Sequence, residues 1–121
     1  MSKTILALAA LCALLPAAHA AGRNQALGDC VELSPAHEMA RFGSQYLLVK
    51  DGDAYYRLGF GGTCAAIAQA TRIELRAEGK AGRLCPQGTQ VVARVGSCTV
   101  RDVALISQEQ YENYARRGRS R

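Results

Sequence analysis

The sequence predicts a mainly β fold: a small antiparallel barrel or curved sheet of about five strands, disulfide-stabilised, with a short C-terminal helix. Three observations carry this expectation. Four cysteines beyond the first twenty residues, Cys30, Cys64, Cys85 and Cys98, are separated by 33, 20 and 12 residues, a spacing that suits bridges and not metal ligation. Short runs rich in Tyr, Leu and Val recur between Gly and Asp turn signals. Only one segment, near the C-terminus, carries a complete helix-start signature.

Residues 1–20 read as a signal peptide. Lys3 gives a positive start, Ile5 to Ala18 are largely apolar, and Ala18-His19-Ala20 places small residues at the two positions a signal peptidase reads. The apolar run is shorter than a bilayer of about 30 Å requires, and no second run follows. Cys12 falls within this segment, and Leu11 is the wrong neighbour for a lipid-modified cysteine. A periplasmic or secreted location without a lipid anchor is therefore expected. Residues 21–29 read as a flexible lead-in, 30–115 as one disulfide-bonded β domain and 116–121 as a basic tail.

Within the domain, Val31 and Leu33 alternate, and Ser34-Pro35 resembles a helix start leading into a single turn to about Arg41. Gln45 to Val49 and Ala54 to Phe60 form a hairpin around Asp51-Gly52, a pair suited to a type I′ turn. Ala54, Tyr56, Leu58 and Phe60 then share one face, with Tyr55 on the other. Cys64 to Ala68 suits one helical turn. Thr71 to Glu78 alternates Ile73 and Leu75 against Arg72, Glu74 and Arg76, the pattern of a strand with one wet face. Gly79 to Gly82 and Pro86-Gln87-Gly88 turn the chain. Strands are expected over Gln90 to Val95 and Cys98 to Ile106. Ser107 and Gln110 form a capping box, Ile106 and Tyr111 a hydrophobic staple, and Gly118 a natural stop. Tyr111 and Tyr114, three apart, are placed to lean on the sheet.

Four cysteines allow three connectivities, and sequence does not choose among them. The nested pairing, Cys30 with Cys98 and Cys64 with Cys85, is the one favoured at this level. Two bridges imply an oxidising compartment.

The formal net charge is +5. Ten basic and ten acidic residues balance between Ala21 and Ala115, so the excess lies in Arg116, Arg117, Arg119 and Arg121. A basic end without interleaved aromatics argues against nucleic-acid binding and leaves a weak contact with an anionic surface.

Catalytic chemistry finds little to work with. His37 is the sole histidine after residue 20, and Ser34 three residues before it is more economically a cap than a nucleophile. Asp51-Gly52-Asp53 opens like a calcium loop but meets Gly62 where a bidentate Glu is needed. Gly59-Phe60-Gly61-Gly62 lacks the Lys-Ser/Thr of a phosphate loop. Glu74 and Glu78, the carboxylate pair nearest to a glycosidase arrangement, alternate with arginines and suit cross-strand ion pairing. The candidate binding residues are Tyr55 and Arg57, read as an exposed patch on the hairpin. No catalytic set, metal site or cofactor is expected.

Cys30, Tyr46-Leu47-Leu48-Val49 with Tyr55-Tyr56-Arg57-Leu58, Gly62-Thr63-Cys64, Arg83-Leu84-Cys85-Pro86 and Cys98-Thr99-Val100 leading into Ile106-Ser107 follow a recurring order. Over roughly Cys30 to Ser107 this resembles an uncharacterised family of small exported bacterial proteins with four cysteines, a domain of unknown function. The resemblance implies an exported, disulfide-bonded β domain and carries no catalytic residues. The expectation is a non-enzymatic envelope or secreted domain that binds a macromolecular partner in the cell envelope or serves a structural role. The alternative is a small inhibitor or ligand-binding barrel acting through Tyr55 and Arg57.

Overall fold

The structure, a computed structural model, describes residues 24–119. The proposed signal peptide and Arg121 lie outside the described residues. In chain order the elements are β1 (Gln25–Ala26), β2 (Val31–Glu32), β3 (Glu38–Phe42), β4 (Tyr46–Asp51), β5 (Ala54–Gly59) and α1 (Ala65–Ala68). They continue with β6 (Glu74–Ala77), β7 (Lys80–Ala81), β8 (Arg83–Leu84), β9 (Gln90–Ala93), β10 (Gly96–Thr99), β11 (Asp102–Leu105) and α2 (Gln108–Arg119).

The fold is mainly β and antiparallel, as expected, but the strands form three open sheets and no closed barrel. Five strands build the central sheet in the order β1-β11-β5-β4-β3, four build a second in the order β10-β9-β6-β7, and β2 pairs with β8. The β4 sequence explains why the central sheet lies in the middle. Leu47, Leu48 and Val49 are consecutive and all fully buried, so the strand needs apolar cover on both faces. Leu47 and Val49 join Tyr56, Leu58 and Val103 in a core shared with Leu75, Leu84 and Val91 of the smaller sheets. Leu48 faces the other way and packs with Ala104, Ile106, Tyr111 and Ala115 beneath α2. Helix, central sheet and small sheets are thus three layers.

The expected capping box starts α2. Ser107 Oγ accepts from the Gln110 amide at 3.1 Å, and Gln110 Oε1 accepts from the Ser107 amide at 2.9 Å. Ile106 and Tyr111 share one apolar cluster, as the staple requires.

Several expectations are corrected. The lead-in 21–29 is not a free arm over its described part: β1 pairs with β11, the Leu27 amide donates to Val103 O at 2.9 Å, and Leu27 is buried. The helical turn after Ser34 is instead a tight turn, closed by the His37 amide on Ser34 O, and then β3. Met39 packs on one core and Ala40 on the other, an alternation that a strand provides and a short helix does not. The strand expected over Cys98 to Ile106 is two. The Val100 amide donates to Thr89 O and the Arg101 amide to Gly59 O, so the chain crosses from the second sheet to the central one at that point. In the hairpin, Asp51 pairs with Ala54 and only Gly52 has positive φ, 63°, which matches type II′ and not I′. The I′ pattern falls at Glu78-Gly79, with φ of 53° and 78°, between β6 and β7.

The nested disulfide pairing is replaced by an interleaved one, Cys30–Cys85 and Cys64–Cys98. The reason is register: Val31 opposes Leu84 and Glu32 opposes Arg83, so Cys30 and Cys85 fall opposite each other one step along the same ladder. Cys64 caps α1, which packs on β9 and β10 and so meets Cys98.

The basic tail 116–121 is also revised. Arg116, Arg117 and Arg119 belong to the last turn of α2, where cations complement the helix dipole.

Candidate functional site

Ser34, His37 and Asp51, the composition of a hydrolytic triad, do come together where the turn before β3 meets the tip of the β4–β5 hairpin. Their wiring is structural. Ser34 Oγ donates to Asp51 Oδ1 at 2.6 Å and its amide donates to Oδ2 at 2.9 Å. His37 Nδ1 bonds the Ser34 backbone carbonyl at 2.7 Å, so the imidazole does not stand between carboxylate and hydroxyl as a general base must. The Ser34 hydroxyl and amide donating to Asp51 hold its carboxyl below the usual carboxylate range, with a smaller contribution from His37. Both Asp51 oxygens thereby accept from Ser34 and tie this turn to the hairpin tip.

Tyr55 and Arg57 do share the face opposite Tyr56, but α2 covers it and both are only partly exposed. The Tyr55 ring lies 5.4 Å from that of Tyr111. Arg57 Nη1 donates to the Tyr114 hydroxyl at 2.9 Å, and its guanidinium sits 4.8 Å from the Tyr46 ring centroid. Phe42 completes the aromatic cluster, with Tyr114 edge-on at 5.3 Å. The premise of an exposed Tyr/Arg patch therefore gives way to a helix-docking surface. Burial also raises the Tyr111 and Tyr56 hydroxyls above their ordinary range.

Of the two glutamates weighed as a carboxylate pair, Glu74 is bonded to Arg76 at 3.0 Å within its own strand, not across strands. Glu78 pairs with Arg83 Nε at 2.9 Å, and Arg83 also pairs with Glu32. Glu78 lies beside Cys30 and Cys85, but both sulfurs are consumed in a disulfide and offer no thiolate to a metal.

A wider concavity than the surfaces around these residues lies elsewhere among the described residues. An open groove of about 690 Å³ runs between the β3 side of the central sheet and the ends of β6 and β9 in the second. Met39, Ile73 and Val92 supply apolar lining, and Arg41, Arg72 and Arg94 supply charge. Arg41 is fixed by donating to the Ile67 carbonyl at 2.6 Å. Arg72 and Arg94 are exposed and take part in no ion pair among the described residues. Arg72 lies two residues before β6 and Arg94 directly after β9, so both flank the end of the β6–β9 pair at which Glu74 opposes Val92. Like charges lining one groove repel, and Glu74, the carboxylate of the groove, is already held by Arg76.

Sequence reasoning missed this groove. Arg72 is visible as one of a wet strand face, but its sharing of a groove with Arg94 depends on a pairing between strands that twelve residues separate, for which no turn signal speaks. Compared with protein-family models, curated proteins and solved structures, the chain finds no match.

Proposed function

We propose that this is an exported, non-enzymatic binding domain of the cell envelope or its surroundings, with the groove beside β3 as its binding surface. The observation that carries the reading is the pair of arginines, Arg72 and Arg94, on an apolar-lined groove whose carboxylate, Glu74, is held by Arg76. Evolved structural surfaces usually intersperse opposite charges, whereas uncompensated guanidiniums over apolar lining suit the capture of an anionic partner. Two disulfides fit an oxidising compartment. The triad-like residues support the non-enzymatic side of the reading, because Ser34 is hydrogen-bonded to Asp51 and not to His37. The alternative through Tyr55 and Arg57 loses its footing beneath α2.

The reading is tested by quantitative capture from periplasmic extract with the wild-type domain beside Arg72→Glu/Arg94→Glu. A component retained by the wild type and lost from the charge-reversed variant is the expected result. Equal recovery of every component by both proteins rejects the groove as the binding surface.

A further inference from the structure

We infer that the groove beside β3 takes an extended acidic peptide segment of a partner protein, with side-chain carboxylates on Arg72 and Arg94 and apolar side chains on Met39, Ile73 and Val92. This rests on the binding-domain reading above and adds the chemical class of the ligand.

Charge type comes first. Arginine presents planar, paired donors that match a carboxylate bidentately, and two exposed guanidiniums lining one groove both gain from anions laid along it. Arg41, anchored on the Ile67 carbonyl, contributes positive charge at a fixed place in the β3 wall of the same groove. The shape of the site decides between a chain and a small molecule. Pockets for small ligands enclose most of the ligand surface, whereas this groove is open along its length between two sheets. An acyl chain laid there would leave much of its surface in water. A peptide strand tolerates that exposure, because alternate side chains point away into solvent.

A second feature favours a partner of protein size. Val95, directly after Arg94 at the tip between β9 and β10, is 72% exposed, and it is the exposed large apolar residue among those described. A small ligand confined to the groove has no use for it, whereas a protein carrying the acidic segment would cover it. Backbone addition to the β3 edge is not part of the proposal. The last turn of α2 already lies against that strand: a Cβ on Gly118 would overlap the Arg41 carbonyl oxygen.

The experiment measures fluorescence anisotropy of a labelled peptide of repeating Glu-Val-Glu-Gly, beside the same peptide with Gln for Glu, at low ionic strength. Wild type is compared with Arg72→Ala/Arg94→Ala and with Lys80→Ala/Arg101→Ala, which removes the same charge outside the groove. Far-UV circular dichroism establishes that each variant is folded. Saturable binding of the Glu peptide, weakened about tenfold or more by the groove variant and little by the control, is expected. Dodecanoate, added as competitor, is expected not to displace the peptide. Equal binding of the Gln peptide, equal weakening by both variants, absence of binding, or displacement by dodecanoate each overturns the inference. Groove-dependent capture from extract combined with any of those outcomes leaves the binding domain standing and removes only the peptide class. Loss of groove dependence in both experiments removes both.

Discussion

Ser34 shows how one residue can look catalytic and act as a clasp. Its hydroxyl and amide both donate to Asp51, which ties the turn before β3 to the tip of the β4–β5 hairpin. Asp51 is partly exposed and its bonds to Ser34 lie at the surface, so the net contribution is modest, about 0.5 kcal/mol after screening. Its direction with pH is nonetheless fixed. A carboxyl held below its unfolded value near 3.8 stabilises the fold above that pH, and the contribution disappears as pH falls through the depressed folded value. Ser34→Ala should therefore lower urea stability slightly at pH 6, with the difference from wild type closing as pH falls below the unfolded value near 3.8 and through the depressed folded one. An undiminished difference at pH 2.5 would show that Ser34 acts without the Asp51 charge. Tyr111 responds at the opposite end. Burial raises its hydroxyl, so the stability it supplies is intact below the unfolded value near 10 and is lost as pH rises through the folded one. Spectrophotometric titration of Tyr111→Phe should thus lose a late-ionising tyrosine, whereas loss of an ordinary one from the early part of the curve would contradict the burial.

Elements differ in how much of them the sequence declares. The α2 start is fully legible, because Ser107, Gln110, Ile106 and Tyr111 are local and each satisfies a known need of a helix end. The β4–β5 hairpin is legible for the same reason, and only its turn type differs, since positive φ rests on Gly52 alone. What α2 covers is not legible. Arg57 reads as a surface cation until the helix above it places Tyr114 at hydrogen-bond distance and Tyr46 under its guanidinium. Gly118 is the sharper case. It reads as a stop signal, yet it stays inside the helix, where the absent Cβ lets α2 lie on the Arg41 carbonyl. Gly118→Ala improves helix propensity by up to about 1 kcal/mol in isolation, but here the methyl group must push α2 from β3. We expect a net loss of about 1–3 kcal/mol in chemical denaturation, the range for overpacking. A variant more stable than wild type would mean that the last turn is free to move away at no cost. By the same geometry, Tyr55→Ala/Arg57→Ala should report on helix docking, as lowered melting temperature, before it reports on any ligand.

At the scale of the whole molecule the two bridges lock layers that apolar contact alone leaves modestly joined. Cys30–Cys85 closes a separation of 55 residues and fastens the β2–β8 pair, a ladder only two residues long on each side. Cys64–Cys98 closes 34 residues and joins the end of the central sheet, through α1, to the second sheet. Sequence announces that the cysteines pair but not how. The deciding register belongs to strands too short to show any periodicity, and a nested arrangement would separate Cys30 from the residue opposite it. Because the loops interleave, each bridge restricts segments that the other also spans, and their effects should not simply add. In the chain-entropy account each closure is worth about 4 kcal/mol, against a total of about 5–15 for a domain of this size. Cys30→Ser/Cys85→Ser should therefore lower stability by several kcal/mol while Cys64–Cys98 still holds the groove walls. Loss of both bridges should unfold the chain at ordinary temperature. The groove gives this expectation a second readout: its walls come from the two sheets, so the Cys64–Cys98 variant should lose peptide binding before it loses far-UV circular dichroism. Peptide mapping without reduction, yielding a Cys30–Cys85 fragment pair and a Cys64–Cys98 pair, checks the connectivity directly. Recovery of Cys30 joined to Cys98 would break the β2–β8 register and, with it, the route by which the second sheet is brought to the groove.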